Sequence, residues 1–400
     1  MKTHCFFVIA AILAAFSASI QGQSSDGWRG LHLIPDSSIE RDEDVGVRCH
    51  TNHLMLIMPD AVASSPTGLS PLDIREVYNL GAPRGSGVIA IVDAYDYPTA
   101  LNDFNVFSKE YGLPQETSAS GTASSNATFQ VVYANGVRPH GNAGWNQEAA
   151  LDIEWAHAMA PGAKIVLVEA ASSSNSDLNA AIAKANSIAG VKEISMSWGS
   201  SEFLGELQND KYLQQPGVVY FASSGDTGGR VIYPGASPYV VSAGGTTLNF
   251  AANGAFLSET GWSGSGGGKS ALESRPSYQQ ASAVETLVGS SRGVPDCSFD
   301  TNPDSGVSVY DSTPYYGMSG WLVFGGTSVS APSLAGIVNS AATARGSFQQ
   351  STLTELTLIY SNLGSPYFRD ITQGSAGSHK CAVGWDFVTG AGSPLTLTGK

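Results

Sequence analysis

The chain has 400 residues, of which 42% are hydrophobic and only 14% are charged, and it contains 46 glycines. This composition is typical of a compact globular protein with many turns and argues against disorder as its overall character. The 20 lysines and arginines against 34 aspartates and glutamates give a formal net charge of -14, which repels phosphate backbones and argues against nucleic acid as a partner.

Residues 1–22 have the pattern of a secretory signal peptide. Lys2 precedes an apolar run from Phe6 to Phe16, and small residues follow up to Gly22. The run is shorter than the roughly 18 apolar residues of a membrane span. We therefore expect a secreted protein that has no membrane attachment after the signal peptide is removed.

The cysteines that follow the signal peptide are Cys49, Cys297 and Cys381. An odd number permits at most one internal disulfide bond, and these long spacings show no pattern of a cysteine–metal site.

Residues 23–70 are mixed and polar and end in a linker that contains Pro, Ser and Gly. Beyond them, buried strands are predicted at 87–94, 129–134, 164–170, 193–198 and 218–225, and helices at 146–160 and 176–189. The glycine-rich stretch 263–270 lacks the spacing of a phosphate-binding loop and predicts tight turns. The alternation predicts an α/β fold, in which residues 71–400 form a parallel sheet with helices on both faces. Sites of such sheets lie beyond the carboxyl ends of the strands.

The segment FGGTSVSAPSLAG, residues 324–336, has the small residues and the proline that present a nucleophilic serine at the start of a buried helix. Ser328 is that serine. Because a serine hydroxyl is a poor nucleophile until a base takes its proton, the chain must also supply a base.

Histidine is the usual partner of a catalytic serine. His140, in RPHGNAGW, is one candidate, because subtilisin-like enzymes place their base in a His-Gly pair and have an aspartate at the end of their first strand, as Asp93 is here. His157, near the end of a predicted helix, is expected to be a packed or capping residue. The other histidines after the signal peptide lie ahead of the regular domain or in a late loop and are not expected to be catalytic: His32, His50, His53 and His379.

A carboxylate pair is the stronger candidate for the base. Glu148 and Asp152 are four residues apart on a predicted helix and project from the same face. If they share a proton, their repulsion becomes a hydrogen bond and they titrate as a unit. An isolated acidic pair usually faces water, but Trp145, Leu151 and Trp155 flank this one with bulky apolar groups.

Asp226 follows the predicted strand 218–225 and is a candidate oxyanion donor. Subtilisin-like enzymes use an asparagine amide for this task. An aspartate donates a hydrogen bond only when it is protonated, which indicates operation in acid. The alternative is an Asx-turn residue ahead of Gly228.

Together these residues resemble the sedolisins, the serine-carboxyl peptidases, over about residues 69–394. GGTSVSAP is similar to the family signature Ser-Gly-Thr-Ser-x-Ser-x-Pro, EAALDIEWAHAMAPGA to the family's catalytic helix, and SSGDTGG to its oxyanion segment. The resemblance implies a subtilisin-like fold and a Ser-Glu-Asp triad. Ser328 would be the nucleophile, Glu148 the general base, Asp152 its supporting acid and Asp226 the oxyanion donor. Residues 263–270 would help to line the substrate cleft.

The resemblance implies further sites. Asp93 and Trp198 match a supporting hydrogen-bond network near the triad. FRDITQGSAG and AVGWDFVTGAGSP look like the family's site for one structural Ca²⁺, an ion that prefers six or more hard oxygen ligands. The implied ligands are two carboxylates and three main-chain carbonyls: Asp370, Asp386, Ile371, Ala382 and Gly384.

The front of the chain departs from the family. Sedolisins are typically made with a long folded pro-region, and residues 23–70 are too few for one of that kind. This part of the chain is therefore either a reduced pro-peptide or the short N-terminal segment of a protein that folds without one.

The sequence thus predicts a secreted, acid-active serine peptidase, a monomer that acts on protein or peptide substrates through an acyl-enzyme. One alternative is a neutral subtilisin-like peptidase with His140 as base. The other is a catalytically inactive secreted binding protein, which would normally have lost the nucleophile, the base or the oxyanion donor.

Overall fold

A computed structural model describes residues 30–57 and 62–400, and the predicted signal peptide lies outside these described residues. The strands, in chain order, are β1 (His32–Leu33), β2 (His50–Thr51), β3 (Leu54–Leu56), β4 (Val62–Ala63), β5 (Val88–Ala94), β6 (Phe129–Tyr133), β7 (Lys164–Ala170), β8 (Val191–Met196), β9 (Trp198–Ser201), β10 (Val219–Ser223), β11 (Ile232–Tyr233), β12 (Val241–Phe250), β13 (Phe256–Gly261), β14 (Gly268–Ser274), β15 (Ser291–Val294), β16 (Cys297–Asp300), β17 (Val307–Tyr315), β18 (Met318–Gly325), β19 (Phe368–Arg369), β20 (Ser375–Ala376), β21 (His379–Lys380) and β22 (Ser393–Pro394).

The α-helices of the described residues are α1 (Pro71–Val77), α2 (Ala100–Glu110), α3 (Ala143–Met159), α4 (Asn175–Asn186), α5 (Ser282–Val288), α6 (Thr327–Arg345) and α7 (Thr352–Ser361). None of them is long and apolar enough to cross a membrane.

The central sheet has the strand order β6-β7-β5-β8-β10-β12-β16, in which all neighbours are parallel, and β13 pairs antiparallel with the second half of β12. The chain places β7 and β6 on one side of β5 and continues with β8 on the other. Beyond the carboxyl ends of the strands at such a reversal lies the usual position of a functional site in α/β proteins.

Each central strand buries its side chains on both faces of the sheet. Ile89 and Ile91 of β5 contribute to the same apolar cluster as α3 and α6. The alternating residues Val88, Ala90 and Val92 contribute to a second cluster, which includes α4. The predicted parallel sheet with helices on both faces is therefore confirmed, and it explains why these strands are continuous apolar runs in the sequence.

Helices α3 and α6 pack closely against one another. A Cβ atom at Gly336 of α6 would lie 2.6 Å from the Cβ atom of Met159 and 2.8 Å from the carbonyl oxygen of Ala156. The Ser340 hydroxyl also donates a hydrogen bond to the Met159 carbonyl, at 2.7 Å. Small residues on α6 thus let the two helices approach, and their packing fixes the position of Ser328 relative to Glu148.

Residues 30–57 are part of the folded structure. Strands β1 and β3 extend the β17–β18 sheet, and β2 pairs antiparallel with β9. The segment between β2 and β3, Asn52 and His53, is buried against the end of the central sheet.

The three cysteines Cys49, Cys297 and Cys381 are all buried and unpaired. No disulfide bond therefore joins any of the described residues.

Candidate active site

Ser328 lies in the first turn of α6, directly after β18. Its side chain is fully buried, and its hydroxyl donates a hydrogen bond to the carbonyl of Ser197 at 3.2 Å. Its amide N–H donates to the carbonyl of Asn52 at 2.9 Å. The predicted placement at the start of a buried helix is confirmed, and the Ser328 amide is directed at a peptide carbonyl.

The turn that delivers Ser328 depends on Gly326. This residue has a φ of 99°, in the region that favours glycine. A Cβ atom there would lie 2.5 Å from Oδ2 of Asp226 and 2.7 Å from the Cα atom of His53, and it would also collide with the carbonyl oxygen of Asn52. The Asn52 carbonyl and the Asp226 carboxyl therefore converge on the same small space.

Glu148 and Asp152 lie on α3, where every residue from Gly144 to Met159 is buried. The helix begins at Ala143 rather than at 146, because the side chain of Asn142 accepts hydrogen bonds from the first amides of the helix. Both carboxyl side chains are 0% exposed. The alternative of an acidic pair facing water is therefore wrong.

The two carboxyls do not hydrogen-bond to one another, contrary to the expectation of a shared proton. Asp152 Oδ1 accepts a hydrogen bond from the Ser197 hydroxyl at 2.7 Å. Glu148 Oε2 accepts one from the Asn52 amide at 3.2 Å, and His53 Nδ1 lies 2.7 Å from the same oxygen. Glu148 Oε1 and Asp152 Oδ2 have no hydrogen-bond partner among the described residues. The hydrogen-bond partners of Glu148 are Asn52 and His53 of the N-terminal segment, and not Asp152.

Asp93 and Trp198 lie beside the pair. Asp93 is buried near the end of β5, and neither of its carboxyl oxygens has a partner among the described residues. The Trp198 indole N–H donates to the Val92 carbonyl at 2.7 Å. The structure therefore brings Asp93 close to the pair without a hydrogen bond and uses Trp198 to support the adjacent main chain.

Burial controls the protonation of the carboxyls of Asp152 and Asp93. Burial, with smaller contributions from Asp93 and Glu148, raises the pKa of Asp152 well above its usual range. Burial, followed by the charges of Glu148 and Glu169, does the same to the pKa of Asp93. Several carboxyls this close cannot all ionise in a buried site, so Asp152 and Asp93 are held protonated in acid.

Asp226 follows β10 and faces the first turn of α6. Its Oδ1 accepts two hydrogen bonds from Thr327, from the amide and from the hydroxyl, each at 2.7 Å. Its Oδ2 is buried and has no partner among the described residues. Burial raises the pKa of Asp226 well above its usual range, although the hydrogen bonds from Thr327 oppose the shift. The protonated side chain has the donor that an oxyanion requires.

His140 is not in this group. Its side chain is exposed and makes no hydrogen bond or ion pair with any of the described residues, while its carbonyl accepts from the Asp96 amide at 2.9 Å. The structure therefore gives no support to His140 as the base of Ser328.

Sequence reasoning missed Asn52, His53 and Ser197. Asn52 and His53 lie almost one hundred residues ahead of Glu148, in a segment without clear periodicity, and only the folded chain shows their contact with it. Ser197 gave a weak signal, because it directly follows β8 at the carboxyl edge of the sheet.

The predicted calcium ligands also come together. Gly384 donates its amide N–H to Asp370 Oδ2 at 3.0 Å, and Ala382 donates its own to Asp386 Oδ2 at 2.9 Å. Asp370 Oδ1 is buried without a partner, and the carbonyls of Ile371, Ala382 and Gly384 accept no hydrogen bond from any of the described residues. One free carboxylate oxygen and three free carbonyls fit a hard cation such as Ca²⁺.

Comparison with known proteins identifies the family. Residues 119–378 match the sequence profile of the subtilase family. The chain belongs to the subtilase family. This subtilase is 30% identical to kumamolisin from Bacillus sp. (strain MN-32), in a match that covers 84% of this chain and 63% of kumamolisin. It is 28% identical to sedolisin from Pseudomonas sp. (strain 101), over 76% of this chain and 58% of sedolisin.

The subtilase is also similar to a solved structure. Pseudomonas sedolisin, a serine-carboxyl proteinase in complex with two molecules of pseudo-iodotyrostatin, superposes with a TM-score of 0.66 at 25% identity, over 83% of this chain and 96% of that one. The resemblance to the sedolisins and the subtilisin-like fold are therefore confirmed. The subtilase spans about three fifths of the length of the curated relatives it matches, 63% for kumamolisin and 58% for sedolisin.

Proposed function

We propose that this subtilase is a serine peptidase that works in acid and hydrolyses peptide bonds through Ser328, Glu148 and Asp152. The placement of Asn52 carries the proposal. Its carbonyl accepts from the Ser328 amide at 2.9 Å, and its own amide donates to Glu148 Oε2 at 3.2 Å. A peptide backbone thus lies between the nucleophile and the base, with a carbonyl at the amide that would stabilise an oxyanion.

In the proposed reaction, Ser328 Oγ turns from the Ser197 carbonyl toward the substrate and attacks the carbonyl carbon. Glu148 takes the hydroxyl proton and then returns it to the leaving amine, so the C–N bond breaks and an ester to Ser328 remains. A water molecule that gives its proton to Glu148 hydrolyses this ester and restores the free hydroxyl. Every proton that Glu148 accepts is returned within the cycle.

Asp152 and Asp226 act as protonated acids in this scheme. Asp152 is anchored by the Ser197 hydroxyl, and its Oδ2 has no partner among the described residues. In the proposed reaction this Oδ2 would donate to Glu148 and stabilise the carboxylate base, a hydrogen bond that has yet to form in this structure. Asp226 donates from Oδ2 to the developing oxyanion, beside the Ser328 amide. One oxyanion donor contributes about 3 to 4 kcal/mol to transition-state stabilisation.

The test is a pH–rate profile on an unbiased peptide library for the wild type, Ser328→Ala, Glu148→Gln and His140→Ala. Loss of the base lowers kcat about 10²- to 10⁴-fold in Glu148→Gln. Ser328→Ala loses all turnover, and His140→Ala matches the wild type with its maximum in acid. A maximum above about pH 7.5 that disappears in His140→Ala would favour the neutral subtilisin-like mechanism instead.

We also propose one structural Ca²⁺ held by Asp370, Asp386 and the carbonyls of Ile371, Ala382 and Gly384. The bound ion would join the chain after β19, at Asp370 and Ile371, to the segment that follows β21 and contains Ala382, Gly384 and Asp386. It would also neutralise both carboxylates. Excess chelator should then lower the melting temperature, and Asp370→Asn should abolish that shift, because a ligand that binds only the folded state stabilises it. An unchanged melting temperature with chelator in the wild type would remove the site.

Secretion, protein or peptide substrates and a monomeric state complete the proposal. The signal-peptide pattern of residues 1–22 supports secretion, and the peptidase relatives support the substrate class. Recovery of the active protein from the medium, with an N-terminus beyond residue 22, would test secretion, and a sedimentation mass of one chain would test the monomeric state.

A further inference from the structure

Glu169 is a buried carboxyl that lies outside the proposed triad. Strands β5 and β7 are parallel and in register along their whole length, and this register pairs Asp93 with Glu169. Ile91 and Leu167, two residues earlier on each strand, belong to the same apolar cluster as α3. Because side chains alternate along a strand and neighbouring strands lie about 4.8 Å apart, Asp93 and Glu169 emerge side by side on the face that α3 covers.

Three of the four oxygens of these two carboxyls are free. Asp93 and Glu169 are each 1% exposed. Glu169 Oε1 accepts a hydrogen bond from the Tyr97 amide at 3.0 Å, whereas Glu169 Oε2 and both oxygens of Asp93 have no partner among the described residues. A buried polar group without a partner costs about 1 to 3 kcal/mol. A proton on Glu169 Oε2 that is donated to Asp93 would satisfy one oxygen of each carboxyl.

Glu169 carries this proton in acid. Burial is the main cause that raises the pKa of Glu169 to about 8, and the hydrogen bond from the Tyr97 amide opposes the shift. The nearest cation does not bind Glu169, since the Arg138 guanidinium binds both carboxyl oxygens of Asp96, at 2.8 and 2.9 Å. Glu169 is therefore a hydrogen-bond donor at the pH of the proposed reaction.

Asp93 connects Glu169 to the proposed base. Burial, and then the charges of Glu148 and Glu169, raise the pKa of Asp93, so Asp93 lies close to both. Glu148 Oε1 is buried without a partner among the described residues and can accept from Asp93. Hydrogen bonds donated to an ionised carboxyl favour its charged form, and buried hydrogen bonds in a chain strengthen one another. A chain of donors from Glu169 through Asp93 would thus stabilise the ionised base.

The titratable groups around this chain come from every neighbouring element. They are Glu148 and Asp152 of α3, Asp96 and Tyr97 after β5, Tyr133 of β6, Arg138 after β6, and, beside Glu148, His53 and Asp226. The cations of this set are Arg138 and protonated His53, and neither donates a hydrogen bond to Asp93 or Glu169. A shared proton is therefore what offsets the repulsion between these two carboxyls.

We propose that Glu169 is a positioning residue for Glu148. The protonated carboxyl of Glu169 donates from Oε2 to Asp93, and Asp93 in turn donates to Glu148 Oε1 and helps to keep this base ionised in acid. The inference rests on the proposed function. It makes the pH at which the base becomes active depend on a residue at the end of β7 that makes no hydrogen bond to Ser328 or Glu148.

The test is the pH profile of kcat/KM on one peptide substrate for the wild type, Glu169→Met, Glu169→Gln and Glu193→Met. Methionine matches the length of glutamate but donates no hydrogen bond, so the acid limb should move up by about 0.5 to 1 pH unit in Glu169→Met. Glutamine keeps an acceptor for the Tyr97 amide and a donor for Asp93, so Glu169→Gln should retain the acid limb of the wild type. Glu193→Met removes a buried carboxyl near the start of β8 and should leave that limb in place.

A double variant tests the route through Asp93. In an Asp93→Ala background the connecting carboxyl is absent, so Glu169→Met should move the acid limb no further. A second shift of the same size would show that Glu169 acts without Asp93 and would overturn the proposed chain.

Infrared spectroscopy tests the proton on Glu169 independently of turnover, because protonated carboxyls absorb apart from carboxylates. The measurement uses the Ser328→Ala background at about pH 6.5, where exposed carboxyls are ionised. The absorption of protonated carboxyls should be smaller in the variant that also carries Glu169→Gln.

Three further outcomes overturn the inference. An acid limb in Glu169→Met that matches the wild type would mean that Glu169 does not tune the base. Equal shifts in Glu169→Met and in either Glu169→Gln or Glu193→Met would mean that the donor at position 169 is not the cause. An unchanged infrared absorption in Glu169→Gln would mean that Glu169 is ionised, and this result decides even if Glu169→Met does not fold. The proposed function fails separately, if Ser328→Ala retains the turnover of the wild type.

Discussion

The two carboxyl oxygens of Asp226 have different tasks in the proposed reaction. Oδ1 is saturated by the amide and the hydroxyl of Thr327, whereas Oδ2 is buried beside Gly326 without a partner among the described residues. A carboxylate would leave a negative charge where the oxyanion is to form. A carboxylic acid keeps Oδ1 as acceptor and makes Oδ2 a donor, so only the protonated side chain serves the proposed reaction.

Replacement of Asp226 should separate these tasks. Asparagine offers the same acceptor and an amide donor that does not titrate, so Asp226→Asn should keep kcat in acid within about tenfold of the wild type, whereas Asp226→Ala should lose about 10²- to 10³-fold. The raised pKa of Asp226 means that the wild type loses its donor as the pH rises through that pKa. The alkaline limb of the kcat profile should therefore move to higher pH in Asp226→Asn. Equal losses in both variants would contradict a donor role.

The sequence predicts the positions of some site residues and not of others. Ser328 and Asp226 each lie three residues beyond the end of a strand, with a glycine in between, so their placement in the turn that follows a strand is a local property. The place of His53 is not local, because it depends on β2 and β3 pairing with strands more than 140 residues further along the chain. No periodicity in residues 48–57 indicates those partners.

The junction of β18 and α6 positions Ser328, the proposed nucleophile. β18 ends at Gly325, Gly326 turns the chain with a φ of 99°, and α6 begins at Thr327. The turn leaves the Ser328 amide free to donate outside the helix, since the first amides of a helix have no partner within it.

Replacement of Gly326 by alanine should therefore reduce stability by more than backbone strain alone and should also remove turnover. Gly326→Ala adds a methyl group that collides with the Asn52 carbonyl and lies 2.5 Å from Asp226 Oδ2. Gly346, at the other end of α6, has a φ of 75° and nothing within 4 Å of such a methyl group, so Gly346→Ala is a control for a positive φ without a steric neighbour. Strain alone costs about 1 to 2 kcal/mol. Urea unfolding should show a larger loss of stability for Gly326→Ala, accompanied by loss of turnover, whereas Gly346→Ala should retain turnover. Equal stability losses with activity intact in both would contradict the steric account.

Helix α3 shows which part of an element the sequence predicts well. The helical spacing around Glu148 and Asp152 predicted the element and their shared face, and the structure has both. The start was predicted at 146 from the spacing of the apolar residues, whereas the Asn142 cap begins the helix at Ala143. The burial of the whole helix follows from packing against α6 and the sheet, which the sequence of α3 alone does not contain.

Across the whole molecule, buried carboxyls recur far from the site. Burial raises the pKa of Glu193 to about 8, of Glu206 to about 8 and of Asp311 to about 7. Their positions differ, since Glu193 lies on β8, Glu206 begins a short 3₁₀ helix after β9, and Asp311 lies on β17. Burial favours the neutral form of these groups, so the fold as a whole, and not the site alone, is more stable in acid.

The stability of the protein should therefore fall as the pH rises. Glu193 is 1% exposed, and its carboxyl accepts from Asn339 Nδ2 at 2.7 Å. The unfolded chain releases this proton near pH 4.3, whereas the folded chain keeps it up to about pH 8. Its contribution is fully present below about pH 4 and decreases by at most about 1.4 kcal/mol per pH unit up to the folded value. Glu193→Gln keeps an acceptor for Asn339 and cannot ionise, so its free energy of unfolding should decline less steeply between pH 5 and 8. Glu110→Gln makes the same change of charge on the surface and should leave the slope unchanged. Parallel unfolding curves for Glu193→Gln and the wild type across that range would show that Glu193 is not protonated in the folded state.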